Sequence, residues 1–271
     1  MSSLKHTQTA KPVVLCFSGH DPSGGAGIQA DIEAIAAHGA HAVSLITALT
    51  RQDSAHVYAF EAVDAAKLQA QAETLLNDIP VAAIKIGMCA SVAVVQAIHH
   101  IIAQHPDIPL ILDPVLASDG GDDLSDANLV TAINSLLLPY CQLITPNIPE
   151  ALKLTHESAD NLELAAQKLL SAGSKQVLIT GTHSASADIT HQLYQPGKTT
   201  VAFHNKRLAG HYHGSGCTLA SSIAALIAQG KSTHVAIQQA LDYTFSSLQH
   251  SHCPGKGQRF PDRFYPRSRQ P

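Results

Sequence analysis

Short runs of β-branched and apolar residues alternate with longer runs of helical periodicity along most of the chain. The strand-like runs cover residues 13–17, 43–46, 83–86, 110–112, 143–144 and 176–179. The helical runs cover residues 25–38, 64–76, 91–103, 216–229 and 233–248, with Ser91 as the predicted cap of the third. Such alternation is typical of a parallel sheet with helices on both faces. It predicts an α/β fold, a three-layer αβα sandwich with a mostly parallel central sheet.

Two parts of the chain depart from this alternation. Residues 189–204 alternate apolar and polar side chains around a Pro-Gly turn, which predicts an antiparallel hairpin at the edge of the sheet. Residues 1–11 and 254–271 are predicted to be surface arms, and the basic side chains of the second arm are expected to face solvent or a second subunit. These side chains are Arg259, Arg263, Arg267 and Arg269. The sequence contains no linker, repeat or low-complexity tract, so residues 1–271 are predicted to form one domain.

Charge and cysteine content exclude several classes of protein. A net charge of −4 argues against a general nucleic-acid binder. Charged residues make up only 14%, so we expect a subunit interface, most simply that of a homodimer, to cover part of the surface. No run is apolar enough to cross a bilayer. Five scattered cysteines, an odd number, predict reduced thiols in a cytoplasm.

Glycine and polar residues collect directly after the predicted strands. These positions are residues 19–27, Gln52 and Asp53, Gly87 and Met88, Asp113, Asn147, and Thr180 with Gly181. Ligands of open α/β sheets bind at the carboxyl ends of the strands. The sequence therefore predicts a binding site at this edge of the sheet.

The first of these segments, residues 19–27, contains four glycines between a predicted strand and a predicted helix. It matches neither the Rossmann nor the Walker A pattern. A flexible connection would explain it, but glycines at this junction also let backbone approach a ligand closely. We interpret the segment as a ligand-binding loop.

A second group of small residues, Gly214-Ser215-Gly216-Cys217-Thr218, opens an apolar helix. Backbone N–H groups at a helix N-terminus favour an anion. Cys217 is predicted to lie in the first turn, where the helix dipole lowers the pKa of a thiol. The alternative is ordinary capping by Ser215 above a small buried cysteine.

Five motifs in one order along the chain together resemble one family. They are residues 21–31 (DPSGGAGIQAD), 85–88 (KIGM), 113–115 (DPV), 145–150 (TPNIPE) and 213–217 (HGSGC). The set is similar to that of the hydroxymethylpyrimidine/phosphomethylpyrimidine kinases of thiamine biosynthesis, in the ribokinase-like superfamily. Ribokinase-like sugar kinases usually carry Asp where this chain has Cys217. The resemblance implies a ribokinase-like fold and phosphorylation of 4-amino-5-hydroxymethyl-2-methylpyrimidine and its monophosphate, with ATP and Mg²⁺.

The resemblance also implies roles for individual residues. The residues expected to line the pyrimidine pocket are Gly19, Asp31, Gln52, Met88 and Val115, with Gln52 on the aminopyrimidine edge. Those expected to bind ATP are Asn147, Thr180, Gly181 and Gly214. Glu150 and Asp113 are expected to hold Mg²⁺, although Asp113 could instead simply end its strand. Gly214 and Gly216 correspond to the anion hole, and Cys217 to the proposed base.

The chain departs from the family pattern at two places. Thr180-Gly181-Thr182-His183 stands where the family commonly has Lys-Gly-Gly-His, and Asp119-Gly120-Gly121 stands where it often has Lys-Ser-Gly. The loss of two cations bears most on the second phosphorylation, whose substrate is already charged. Candidates to restore the charge are Lys85, Lys206 and Arg207. Two alternatives therefore stay open: a pyridoxal-type kinase, and a pyrimidine-binding protein without catalysis.

Overall fold

The computed structural model describes residues 11–117, 124–158, 161–181 and 188–265. Its strands are β1 (Val13–His20), β2 (His41–Gln52), β3 (Val57–Ala62), β4 (Ala83–Ile86), β5 (Leu110–Leu112), β6 (Cys141–Ile144), β7 (Val177–Ile179), β8 (Asp188–Tyr194) and β9 (Val201–Lys206). Within the described part, these strands form one sheet in the order β3-β2-β1-β4-β5-β6-β7-β8-β9. The strands from β2 to β7 in this order run parallel, whereas β3, β8 and β9 are antiparallel to their neighbours.

The helices are α1 (Gly27–Ala37), α2 (Ala65–Asp78), α3 (Val92–Ala103), α4 (Ala127–Ala132), α5 (Ile148–Thr155), α6 (Leu162–Ser171), α7 (Ser215–Ala228) and α8 (Thr233–Gln249). A π-helical turn (Ile133–Leu137) and a 3₁₀ turn (Leu138–Tyr140) continue α4. In the described ranges, no helix has both the length and the apolar character that crossing a bilayer requires. All five cysteines are free thiols.

Neighbouring residues of the buried strands belong to different cores. In β1, Leu15 and Phe17 pack on the side of α2 to α6, whereas Val14 and Cys16 pack on the side of α1, α7 and α8. Successive side chains of a strand point to opposite faces, so a fully buried strand must meet helices on both sides. The predicted three-layer αβα sandwich is confirmed.

The strand order identifies the crevice of the sheet. β1 pairs with β2 on one side and with β4 on the other. The connections that leave β1 and its neighbours therefore diverge at the carboxyl ends, which is where ligands bind in open α/β sheets. The first glycine segment follows β1 at this position.

Most of the local predictions hold. The Ser91 hydroxyl accepts a hydrogen bond from the Val94 N–H at 3.2 Å and caps α3, as predicted. The predicted hairpin is confirmed as β8 and β9, and β9 forms an edge of the sheet. The opposite edge strand β3 and the helices α4, α5 and α6 were not predicted.

The prediction of a C-terminal surface arm fits the exposed residues 254–257 but is wrong for Phe260 and Arg263. Phe260 is 4% exposed and Arg263 is 2% exposed. Backbone bridges join His252 to Phe260 and Tyr212 to Arg259. An arginine side chain can be buried here because protein acceptors satisfy its N–H groups. Residues 1–10 and 266–271, with Arg267 and Arg269, lie outside the described residues.

Candidate active site

The first glycine loop, residues 19–27, folds around the carboxylate of Asp21. That carboxylate accepts hydrogen bonds from the backbone N–H groups of Ser23 and Ala26, each at 2.8 Å. Gly27 begins α1 with φ +55°, and a Cβ there would lie 2.2 Å from the carbonyl oxygen of Gly19. Only glycine fits this close approach of backbone to backbone, which explains the glycine content of the loop.

The second glycine loop, residues 213–218, touches the first. Gly214 precedes α7 with φ +76°, and a Cβ there would lie 2.1 Å from the carbonyl oxygen of Gly25. The first hydrogen bond of α7 joins the Thr218 N–H to the Gly214 carbonyl at 3.0 Å. The amides of residues 215–217 precede that bond, so they have no partner within the helix and are suited to an anion.

A buried His–Asp contact joins the two loops. Nε2 of His213 lies 2.8 Å from Oδ2 of Asp21. Burial by itself would raise the pKa of Asp21, but the hydrogen bonds from His213, Ser23 and Ala26 outweigh it and hold that pKa well below its usual range. Asp21 therefore stays ionised and fixes the position of both loops.

Cys217 lies in the first turn of α7, as predicted, but its surroundings raise the pKa of its thiol instead of lowering it. Burial raises the pKa of this thiol to about 12, and the nearby carboxylates of Asp113 and Asp31 add to the effect. Lys85 and the Gly27 N–H act in the opposite direction and are outweighed. The predicted lowering of the pKa is wrong because loss of hydration exceeds the effect of the helix dipole.

A buried ion pair joins β4 to α1. Nζ of Lys85 contacts Oδ1 of Asp31 at 2.9 Å, and neither side chain has exposed surface. The hydroxyls of Ser18 and Ser221 also donate to the Asp31 carboxylate. Asp31, predicted to line the pyrimidine pocket, is thus buried and bonded within the protein, and its contact with a pyrimidine stays a prediction.

Lys85 and Lys206 were two of the candidates to replace the charge of the family lysine at Thr180. Burial by itself would lower the pKa of Lys85, but Asp31 and its other anionic neighbours raise it far above its usual range, so the ammonium stays charged. That ammonium is bonded to Asp31 and Ser18 and has no exposed surface. Lys206, the second candidate, is 78% exposed and pairs with Asp188 at 2.8 Å.

Three of the predicted pyrimidine-pocket residues lie close together. A Cβ on Gly19 would lie 3.2 Å from Sδ of Met88. Met88 forms a small apolar cluster with Ala48 and Leu124, and Val115 packs against it. Gln52, at the end of β2, is half-buried and pairs with Val57, which packs on the same cluster. An apolar surface with Gln52 on the strand position next to Val57 suits a flat heteroaromatic ring.

Three of the four predicted ATP residues lie at the ends of β6 and β7, whereas Gly214 lies in the second glycine loop. Asn147 and Glu150 form a capping box at the start of α5, with two reciprocal hydrogen bonds of 2.9 Å. Asn147 is bridged to Thr180, and a Cβ on Gly181 would lie 1.9 Å from the carbonyl oxygen of Thr190. Thr182 and His183, and the Asp119-Gly120-Gly121 segment, lie outside the described residues.

The carboxylates of Asp113 and Glu150 are the predicted Mg²⁺ ligands. Both are nearly buried, and Oδ1 of Asp113 would lie 3.8 Å from a Cβ on Gly216 at the start of α7. Among the residues that the structure describes, no three His, Cys, Asp or Glu side chains are grouped to hold a metal. Mg²⁺ is usually held by one or two carboxylates together with substrate phosphates. The donor set therefore fits a Mg²⁺ that is bound together with a nucleotide.

Two contacts at this site were not predicted from the sequence. They are the His213–Asp21 contact and the burial of Arg263, whose guanidinium reaches both glycine loops. His213 stands directly before Gly214 in its motif, and this position was the only sequence signal for the first contact. The sequence offers no local signal for the second.

Comparison with known proteins gives one consistent family. A family model described as phosphomethylpyrimidine kinase matches residues 21–261. The chain is 32% identical over 250 residues to the hydroxymethylpyrimidine/phosphomethylpyrimidine kinase of Staphylococcus aureus, a match that covers 90% of this chain and 91% of that protein. It is 35% identical over 245 residues to the probable thiamine biosynthetic bifunctional enzyme of Oryza sativa subsp. japonica. That match covers 89% of this chain but only 45% of the rice protein, so the chain spans about half the length of that relative.

Two kinds of kinase have this fold. The pyridoxal kinase of Bacillus subtilis, solved as an ADP complex, superposes with a TM-score of 0.87 at 25% identity, covering 95% of this chain and 99% of that one. The phosphomethylpyrimidine kinase of Clostridium difficile 630 superposes with a TM-score of 0.76 at 30% identity, covering 88% and 100%. Since both superpose well, the shape of the fold does not separate a pyrimidine substrate from a pyridoxal substrate.

Proposed function

The chain belongs to the phosphomethylpyrimidine kinase family, and on that basis we propose that it transfers the terminal phosphoryl group of ATP to 4-amino-5-hydroxymethyl-2-methylpyrimidine and then to the monophosphate. The observation that carries this proposal is the contact between the two glycine loops at the crevice of the sheet. The N-terminus of α7, whose first turn contains Cys217, lies beside Asp113. Phosphoryl transfer needs positioning and neutralisation of charge more than covalent chemistry, and this arrangement supplies both.

The amides at the start of α7 act on the group in transfer. They are fixed in place before the substrate binds, because Gly214 is locked against Gly25 and the Thr218 bond closes the first turn. Donors that are already oriented stabilise the charge that develops on the phosphoryl oxygens without reorganisation.

The nucleotide is bound by residues at the ends of β6 and β7 together with Gly214 of the second glycine loop. Asn147, Thr180, Gly181 and Gly214 contact ATP, and the Asp113 and Glu150 carboxylates hold a Mg²⁺ that neutralises its phosphates. Thr180 offers a hydroxyl where the family lysine would offer a charge, so the cation contributes more of the neutralisation here than in relatives that keep the lysine.

The two steps make different demands on Cys217. The hydroxymethyl group must lose a proton, and the sulfur of Cys217 accepts it when the thiol is ionised. With a pKa of about 12, only a small fraction of this thiol is ionised at neutral pH, so the first step depends on pH. The monophosphate attacks through an oxygen that is already anionic and needs no base.

The proposal also covers the contacts of the pyrimidine, the cellular location and the oligomeric state. The pyrimidine packs on Gly19, Met88 and Val115, with the Gln52 amide on its polar edge. The protein acts in the cytoplasm as a homodimer, with no membrane or nucleic-acid partner.

A product assay by chromatography tests the proposal. Purified protein receives Mg-ATP with either the hydroxymethylpyrimidine or its monophosphate. Formation of the next phosphorylated species from each substrate supports the complete activity, and reaction of the alcohol alone restricts it to the first step. Binding of the pyrimidine with no turnover refutes the kinase proposal and leaves a pyrimidine-binding protein.

The second candidate function is pyridoxal phosphorylation, which the close superposition on the Bacillus subtilis pyridoxal kinase favours. Both substrates in one reaction with limiting enzyme separate the candidates, because the ratio of their products reports the ratio of kcat/KM values. We expect the pyrimidine product to dominate, since Gln52 presents an amide to the aminopyrimidine edge.

A further inference from the structure

The C-terminal segment, residues 251–265, runs from the end of α8 back to the active site. Its backbone is fixed along the way, because the Asp262 N–H donates to the Ser247 carbonyl at 3.0 Å and the Tyr243 hydroxyl donates to the Arg263 carbonyl at 2.7 Å. The ring of Phe260 lies 5.4 Å from that of His213, centroid to centroid. The segment therefore packs against the second glycine loop in a defined position.

The guanidinium of Arg263 bonds to three separate elements. Its Nε donates to the Thr218 hydroxyl of the second glycine loop at 2.9 Å. One terminal nitrogen donates to the Gly25 carbonyl of the first glycine loop. The other donates to Glu33 of α1 at 3.0 Å. The side chain is 1% exposed, so these protein acceptors replace its water.

The hydrogen bonds of Arg263 fix the separation of the two glycine loops. The Thr218 hydroxyl, which accepts from Arg263, donates in turn to the Gly214 carbonyl at 2.8 Å. A Cβ on Gly214 would lie 2.9 Å from the terminal nitrogen that bonds to Gly25. A guanidinium is a planar, rigid fork, so bonds from one group set the distance between their acceptors.

The charge of this arginine is already balanced. Glu33 pairs with it, and its bonds to Gly25 and Thr218 use two further N–H directions. Arg263 therefore differs from the family lysine that Thr180 replaces, because its bonded N–H groups face the protein. Arg263 can therefore position groups of the site but does not offer its charge to a substrate.

We propose that Arg263 is a positioning residue for phosphoryl transfer, which holds the amides at the start of α7 in register with the first glycine loop. This inference rests on the proposed kinase activity. It predicts that loss of the guanidinium slows the chemical step more than it weakens binding of either substrate, because displacement of pre-oriented groups raises the barrier.

The test compares full-length variants. Arg263→Gln removes the fork, and Arg263→Lys keeps a charge that reaches fewer acceptors. Arg259→Gln is the matched control, since its guanidinium bonds to the hydroxyl and carbonyl of Ser251 within the same segment. We expect kcat to fall about 100-fold in Arg263→Gln and about tenfold in Arg263→Lys. KM values should change less than about threefold, and Arg259→Gln should keep kcat within about twofold of the parent.

A second readout does not depend on turnover. Hydrogen exchange followed by mass spectrometry should show faster exchange in residues 19–27 and 213–218 of Arg263→Gln, with the amides of β1 and β4 no faster than in Arg259→Gln. Loss of global stability would speed exchange throughout the sheet instead. If Arg263→Gln does not fold, Arg263→Lys carries both measurements.

Three results would overturn the proposal: uniform acceleration of exchange, an equal loss of kcat in Arg259→Gln, or a rise in KM with kcat unchanged. If the parent protein transfers no phosphoryl group, the kinase proposal fails by itself. The exchange comparison then still decides whether Arg263 holds the two loops together.

Discussion

Replacement of Lys85 by methionine tests how much the buried Lys85–Asp31 ion pair stabilises the protein. The change removes the ammonium and keeps most of the side-chain volume. It leaves the Asp31 carboxylate buried with the hydroxyls of Ser18 and Ser221 as its remaining donors. An uncompensated buried charge is among the costliest defects that a point mutation can create.

The size of the effect follows from the geometry. At the observed separation of 2.9 Å, two unit charges attract by about 6 kcal/mol at an effective dielectric constant of about 20. The relief of lysine desolvation returns part of this, so we expect a net loss of about 3–5 kcal/mol in the free energy of unfolding. For a domain of this size the melting temperature should fall by about 10 °C.

Urea unfolding of the variant checks this value, and two further variants make the test specific. Lys206→Met removes a partner from the exposed Lys206–Asp188 pair and should cost less than about 1 kcal/mol. Adding Asp31→Asn to Lys85→Met neutralises the stranded carboxylate and should recover about 1–3 kcal/mol. A loss in Lys85→Met no greater than in Lys206→Met, or a double variant less stable than the single one, would refute a stabilising role for the buried pair.

Three further predictions concern chemistry, pH and packing. Cys217→Ala should slow phosphorylation of the alcohol about 100-fold and that of the monophosphate less than about threefold. The parent's rate with the alcohol should rise from about pH 7 to about pH 9 in a product assay, because the thiol's pKa of about 12 lies above that range. Equal losses on both substrates in Cys217→Ala would assign the thiol a structural role. Burial and His204 lower the pKa of His191 to about 4. As the pH falls, the imidazole is protonated in the unfolded chain before it is protonated in the folded protein. The free energy of unfolding should therefore be unaffected by His191 above about pH 6.5 and should decline as the pH falls towards 4. Urea unfolding across that window should show a shallower decline in His191→Gln, and parallel curves would contradict it. Gly181→Ala would place a Cβ 1.9 Å from the Thr190 carbonyl and should lower the free energy of unfolding by about 2 kcal/mol, which denaturation measures; an unchanged midpoint would show that β8 moves freely.

Features that depend on neighbouring residues in the chain were predictable from the sequence. Residues 110–112 form β5 as predicted, and Ser91 caps α3. The helix predicted at residues 64–76 is α2, which begins one residue later and ends two residues later. Local sequence determines such elements: a short apolar run forms a strand, and a serine before a helical pattern caps the helix. These positions could therefore be predicted without knowledge of the fold.

Other features depend on contacts that the sequence does not display. The acceptors of Arg263 come from positions 25, 33 and 218, so its burial could not be read from an Arg- and Pro-rich tail. The pKa of Cys217 was predicted from its helix position alone, whereas burial decides it. Asp31 and Lys85 belong to two different motifs, and their buried contact could not be read from either motif alone.

The most direct test of the account is transfer of label from ATP labelled at its terminal phosphate to the hydroxymethylpyrimidine, by the parent protein and by Gly214→Ala. The parent should transfer the label. The variant should lose at least about 100-fold in rate, since its new methyl group would lie 2.1 Å from the Gly25 carbonyl and must move the amides at the start of α7. Far-ultraviolet circular dichroism checks that the variant remains folded. No transfer by the parent, or equal transfer by a folded Gly214→Ala, would contradict the assignment of phosphoryl transfer to the contact between the two glycine loops.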